Sequence, residues 1–113
     1  MFKPIGGNFD QAMTEDMKRT PNAVVGWLLM ASWCYYIEAT PCSLLSDTLY
    51  DKACGWLLRH YASVTHKYKH LLPPEALSAG SAYHLGVHDY PGGIIRMAQL
   101  ARDELEKYHA SSI

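Results

Sequence analysis

The sequence predicts a mainly α-helical protein: a small single domain with a helical hairpin, an irregular middle segment and a C-terminal helix. Three observations predict it. Ala23–Ile37 (AVVGWLLMASWCYYI) is an uncharged run of 15 residues, short of the ~20 that span a bilayer and close to the length of a buried helix. Leu49, Ala53, Leu57 and Val64 fall near helical spacing, with Tyr50, Cys54 and Tyr61 beside them. Ile94, Met97, Ala98, Ala101 and Leu105 make an apolar stripe opposite Arg96, Arg102, Asp103, Glu106 and Lys107. A chain of 113 residues has the size of one domain.

Residues 1–20 contain Pro4, Gly6-Gly7 and mixed charges, and read as an irregular N-terminal arm with at most one helical turn around Gln11–Lys18. Residues 21–113 form the helical domain, of which 21–65 is the hairpin. Pro21 suits the first turn of a helix with Thr20 as its N-cap. That helix runs to about Ala39 and is apolar on nearly every face, which requires burial on most sides. Thr40-Pro41 stops it, because a residue before proline is pushed out of helical geometry. Cys42–Leu45 link it to a second helix over Asp47–Ser63. Ser46 is its N-cap, and Asp47 places a negative charge where the helix dipole favours one.

Thr65–Pro91 is a loop region broken by Pro73-Pro74, Gly80 and Gly86. It holds one helical turn over Pro74–Ala79 and an extended piece or short strand over Ala82–Val87. Gly92-Gly93 is a hinge before the last helix, Ile94–Tyr108. No internal repeat or low-complexity tract is visible.

Composition excludes several function classes. Ten Lys/Arg against eleven Asp/Glu give a net charge of −1, whereas binding nucleic acid by phosphate neutralisation or gripping a membrane with a polybasic segment requires clustered positive charge. Three Trp and eight Tyr are too many aromatics for a disordered chain. The N-terminus has acids and no continuous apolar stretch, so it does not read as a signal peptide. Cys34, Cys42 and Cys54 are odd in number and lack a C-x-x-C spacing, which fits a reducing cytoplasm. No G-x-S-x-G, H-E-x-x-H, P-loop or dinucleotide-binding signature occurs.

The most informative stretch joins the hairpin's two helices. Asp47, Tyr50 and Asp51 are spaced i, i+3, i+4 and project from one face of the second helix. Tyr35 and Tyr36 end the first helix and can face them across the link. Two carboxylates around aromatic rings suit a small, flat, partly cationic ligand carrying hydroxyls. The same residues also have a plain structural account: a first-turn acid, a core-edge aromatic and a solvated acid one turn on.

Tyr35-Tyr36-Ile37-Glu38-Ala39-Thr40-Pro41 followed by Ser46-Asp47-Thr48-Leu49-Tyr50-Asp51 resembles the N-terminal Ia domain of NAD-dependent bacterial DNA ligases. The pattern there is Y-H/Y-x-x-x-x-P, then S/P-D-x-x-Y-D. The resemblance covers about a third of the chain, roughly residues 27–65. It implies a helical hairpin that binds nicotinamide mononucleotide, with Tyr35 and Tyr50 against nicotinamide and Asp47 and Asp51 on ribose and carboxamide. Tyr36 stands where the ligases usually carry His, and the link from Pro41 to Asp47 is about two residues longer than in the ligases. No K-x-D-G adenylation motif occurs, so ligase activity is excluded. The downstream H-K-Y-K-H-L-L…L-S-A-G-S-A-Y-H-L…Y-P lies outside that pattern. With it, the whole arrangement is similar to small tailed-phage proteins described as DNA-ligase-like, a family with no established activity.

His66-Lys67-Tyr68-Lys69-His70 is the second constellation. His66 and His70 would share a helical face and could hold a metal ion, but no third ligand follows at a recognised spacing, so no metal is expected. Lys67 and Lys69 form a basic patch able to meet a ligand phosphate or to lie on a solvated turn.

The expectation is therefore a non-catalytic phage protein in the host cytoplasm. Tyr35, Tyr36, Asp47, Tyr50, Asp51, Lys67 and Lys69 would bind nicotinamide mononucleotide (NMN) or NAD as ligand, with no cofactor required. The alternative is a phage protein that binds and inhibits a host protein, such as a replication enzyme or a CRISPR effector, with the hairpin as scaffold. A small hydrolase or NAD-consuming enzyme using Asp47, Asp51 and the histidines ranks third.

Overall fold

Helix formation begins earlier than the sequence pattern suggests. A computed structural model of the chain describes residues 9–38 and 43–111, with the side chains of the last helix described through Glu104. Asp10–Arg19 is a full helix, α1, rather than part of an irregular arm. Its apolar contacts are Phe9, Met13 and Met17, spaced four apart, with Met13 fully buried. The signal is thin, and tertiary bonds supply the rest. Phe9 N–H donates to Leu44 O at 3.1 Å, and Asp10 Oδ1 accepts from Ser46 N–H at 2.9 Å. Asp16 accepts from the Trp27 indole at 2.9 Å and from Arg19 at 2.9 Å. Those bonds, the Trp27 one foremost, hold its carboxyl below the ordinary range. The contact is therefore complete above the ordinary carboxylate range and is lost as pH falls through the lowered value.

Thr20 closes α1 by donating to Asp16 O instead of capping the next helix, and α2 spans Ala23–Ser32 with Asn22 ahead of it. Asn22 is occupied elsewhere: its amide donates to Thr65 Oγ1 at 3.1 Å and accepts from Thr65 N–H at 3.0 Å, clasping a segment 43 residues away. α2 is buried on most sides, as its uncharged sequence requires, and packs against α1, α3 and α5. Its continuation, Trp33–Ile37, winds as a π-helix, closed by Glu38 N–H donating to Trp33 O at 3.2 Å. The regular helix expected to Ala39 thus ends at Ser32. Ala39, Thr40, Pro41 and Cys42, the expected stop and the start of the link, lie outside the described residues, as do residues 1–8.

α3 spans Asp47–Arg59. Ser46 Oγ caps it by accepting from Leu49 N–H at 3.1 Å, as the sequence indicates. It ends at Arg59, four residues before Ser63, with His60 as its C-cap, whose N–H returns to Trp56 O. Ala53, Cys54 and Leu57 are buried, and α3 packs against α2 and α4. A 3₁₀ turn at Lys69–Leu71 precedes α4, Pro74–Ala79. Ala82–Val87 is not a strand: it is a turn leading into a 3₁₀ segment at Val87–Asp89.

α5 spans Gly92–Ser111, so Gly92-Gly93 is its first turn and not a hinge before it. Ile94, Ala98 and Ala101 face the core, whereas Met97 is 53% exposed and leaves the expected stripe. Glu38 ties the π-helix to α5 by accepting from Arg102, and its second oxygen accepts from the Trp33 indole at 2.7 Å. One hydrophobic core takes residues from α1 through α5. Among the described residues no helix is long and apolar enough to cross a membrane.

Candidate functional site

Three elements converge on a cleft of about 250 Å³: the end of α2 with its π-helical extension, the first two turns of α3, and the glycine that ends α4. α3 supplies Asp47, Tyr50 and Asp51, as the i, i+3, i+4 spacing predicts. The π-helix supplies Tyr35 and Tyr36. Its wider turn lets two consecutive side chains reach one cleft, and such turns occur often at functional sites.

The aromatic wall is organised edge to face. Tyr35 and Tyr36 lie 5.0 Å apart at 88°, and Tyr36 and Tyr83 lie 5.7 Å apart at 64°. Edge-to-face packing suits the ring quadrupoles and limits rotation of each ring. Tyr36 Oη also pairs with Ser81 Oγ at 3.2 Å. Tyr35 remains 54% exposed at the mouth.

Tyr50 is fixed from below. Ser32 Oγ–H donates to Leu28 O at 2.7 Å, so at the 2.7 Å contact between the hydroxyls the Tyr50 phenol donates to Ser32. Burial raises its pKa well above the usual phenol range. With its proton committed, Tyr50 offers the cleft its ring. Tyr90 packs nearby, only 5% exposed and edge-on to Trp33 at 5.2 Å. Its hydroxyl makes no hydrogen bond of standard geometry among the described residues, although the Ser32 hydroxyl is near enough to act on it. Burial pushes this phenol up to about 12, Tyr36 adds to the rise, and the Ser32 hydroxyl partly offsets it.

Asp47 and Asp51 are exposed at the rim, and neither forms an ion pair among the described residues. Like charges at i, i+4 cost a helix about 0.2–0.5 kcal/mol, which offsets part of what Asp47 gains from the helix dipole, so Asp51 is not there for helix stability. The field of Asp51 reaches inward. Burial, and then that carboxylate, push the Cys54 thiol up to about 11. Cys54 should therefore resist alkylation by iodoacetamide at pH 8 in the native protein and react only after denaturation, as mass spectrometry would score.

Gly80 closes the third side. It adopts φ +67° and ends α4 in a Schellman cap, with Ser81 N–H on Ala76 O and Gly80 N–H on Leu77 O, both at 3.1 Å. A Cβ there would sit 3.3 Å from Asp51 Oδ1. Gly80→Ala should cost about 1–2 kcal/mol in urea unfolding, from left-handed strain, and should crowd the acid rim.

Five of the seven expected site residues thus meet in one cleft. Lys67 and Lys69 do not. Lys69 donates to Tyr61 O at 2.8 Å and lies 4.4 Å over the Tyr61 ring, while Lys67 lies 5.1 Å from the Tyr68 ring. The 3₁₀ turn also removes the helical face that His66 and His70 would share, and His66 Nδ1 accepts from Tyr68 N–H at 3.1 Å. Among the described residues, no three His, Cys, Asp or Glu side chains converge to hold a metal ion.

Sequence reasoning missed Ser32 and Gly80, as well as Ala31 and the link residues Ser43, Leu44 and Leu45 that also line the cleft. Ser32 could have been found as the hydroxyl inside an otherwise apolar buried run. Gly80 is legible as a helix-ending glycine, but nothing local tells which carboxylate it approaches. No protein-family model, curated protein or solved structure matches this chain, which leaves the chemistry of the cleft to carry its functional assignment.

Proposed function

We propose that the cleft is a non-catalytic binding site for an oxidised nicotinamide nucleoside or mononucleotide. The observation that carries this reading is the pairing of Tyr35, Tyr36 and Tyr50 with two carboxylates that have no ion-pair partner among the described residues. A pyridinium ring is flat and cationic, so it is attracted both to the tyrosine rings and to the acid rim. Asp47 and Asp51 accept hydrogen bonds from ribose hydroxyls and from the carboxamide.

The size and charge of the cleft narrow the class. About 250 Å³ is below the ~300–1,000 Å³ usual for drug-sized ligands, so one nucleoside fits and the adenylate half of a dinucleotide stays outside. Among the described residues lining the cleft, none is a lysine or arginine. A phosphate therefore gains no partner there and is repelled by the rim, at about 1 kcal/mol per unit charge 4 Å away in water.

Calorimetric titration with nicotinamide riboside, NMN, reduced NMN and AMP tests the reading. The expected order is riboside at least as tight as NMN, both far tighter than reduced NMN, and no binding of AMP. Equal affinity for oxidised and reduced NMN would remove it, because the ring charge would then contribute nothing.

A further inference from the structure

α3 has a second working face. Beyond Asp51, which edges both the acidic cleft and this face, residues of α1 and α3 line an open trough of about 520 Å³. Its floor is apolar, with Met17, Leu49, Ala53 and Trp56. Its rim carries Lys18, Lys52 and Arg59, all exposed. None of the three forms an ion pair among the described residues. The chain as a whole has a net charge of −1, whereas the trough carries these three cations against one carboxylate, Asp51 at its edge, so positive charge is concentrated here locally: α3 gives Asp47 to the cleft and Lys52 and Arg59 to the trough.

The geometry points to a docking groove for an acidic amphipathic helix of a partner protein. Among the lining positions on α3, Leu49, Lys52, Ala53, Trp56 and Arg59 repeat at helical spacing, a rise of about 15 Å from first to last at 1.5 Å per residue. That is a seat for roughly three turns of a third helix lying between two others, the arrangement by which amphipathic helices enter grooves. Lys52 and Arg59 are two turns apart on one wall, about 10.5 Å, and Lys18 stands on the other. Carboxylates seven residues apart on one flank of the incoming helix would meet the first pair, and a carboxylate on the opposite flank would meet Lys18.

The floor has a place for an anchor. Gly55 lies in the trough, and a Cβ built on it meets only the Arg59 guanidinium, at 3.4 Å. The missing side chain leaves a notch beside Trp56, whose indole is held by stacking on His60 at 4.4 Å. A half-buried aromatic next to a notch, edged by charge, resembles the centre of an interface. The openness of the trough favours a helix over an acyl chain, which needs enclosure to leave water.

A peptide-display selection on the intact protein tests this. The library holds 18-residue helix-forming peptides with a fixed apolar stripe and flanking positions randomised among Glu, Gln and Lys. The expected result is enrichment of Glu on both flanks, with affinity falling at least tenfold for the Lys18→Glu/Lys52→Glu/Arg59→Glu variant. Gly55→Leu fills the notch without changing charge or breaking the helix, and should lower affinity comparably. The charge-reversed variant should itself select Lys. Failure to enrich any peptide, enrichment without charge preference, or Glu-rich peptides that bind both proteins equally would each overturn the proposal. So would charge-dependent binding to phosphatidylglycerol vesicles in place of peptides, which would make the groove a lipid site.

Discussion

Replacing Asp47 and Asp51 together by asparagine is expected to weaken binding of nicotinamide riboside at least a hundredfold while leaving the far-UV circular dichroism spectrum unchanged. Each carboxylate would make charge-assisted hydrogen bonds of about 1.5–3 kcal/mol, so one substitution alone should lower affinity about tenfold or more. Asparagine keeps an oxygen and nearly the same volume, so the loss would report charge and not shape. The fold should not suffer. Both residues are exposed, neither is in an ion pair among the described residues, and relief of the like-charged i, i+4 pair largely offsets the loss of the first-turn acid Asp47. Titration calorimetry on the single and double variants checks this. An unchanged affinity in the double variant would mean that the cleft is an architectural feature only.

The largest stability effect is expected at Glu38. Its two oxygens serve different elements, one accepting from Arg102 on α5 and the other from the Trp33 indole at the start of the π-helix. Both partners of the ion pair are mostly shielded, with 14% of the Glu38 side chain and 19% of the Arg102 side chain exposed. Removing one partner from a buried pair costs about 3–5 kcal/mol. Glu38→Ala should therefore lose about 3 kcal/mol, against a total stability of about 5–15 kcal/mol for a small domain, and its Tm should fall by more than about 10 °C. Glu38→Gln keeps an acceptor for the indole and should lose less. Thermal unfolding of the two variants separates the ionic contribution from the hydrogen bond. Equal losses would show that the charge on Glu38 does not stabilise the fold.

What the sequence revealed follows from how local each signal is. The buried first helix, the Ser46 cap, the three-residue face of α3 and the short α4 all depend on residues within a turn of one another, and all are legible. So is the mainly α-helical class. α1 is less so. Its apolar stripe is one residue wide, and it is held by Asp10 reaching Ser46 and Asp16 reaching Trp27, contacts that no periodicity encodes. The sequence points Lys67 and Lys69 to the ligand because they are close in sequence to one another and to the hairpin. In space, Tyr61 captures Lys69 instead. Local charge does not say which aromatic or carbonyl a long side chain will find. The candidate site divides in the same way. Its α3 face and tyrosine pair could be read directly, whereas Ser32 beneath it and Gly80 above it come from chain segments that only folding brings near.

The π-helical turn has a consequence for how this protein can change by insertion and deletion. A π turn closes over one residue more than an α turn, so Trp33–Ile37 behaves as an α-helix carrying one extra residue. Deleting a single residue just before Tyr35 would let the segment relax to ordinary winding and would leave α2 as it is. The residues after the deletion would then keep their directions, because the π turn already absorbs the extra residue. One further inserted residue would instead swing every later side chain by about 100° around the helix axis, taking Tyr35 and Tyr36 out of the cleft and Glu38 out of the reach of Arg102. The segment should therefore tolerate losing a codon better than gaining one, which makes the spacing between Ser32 and Glu38 as informative as the identity of the residues within it.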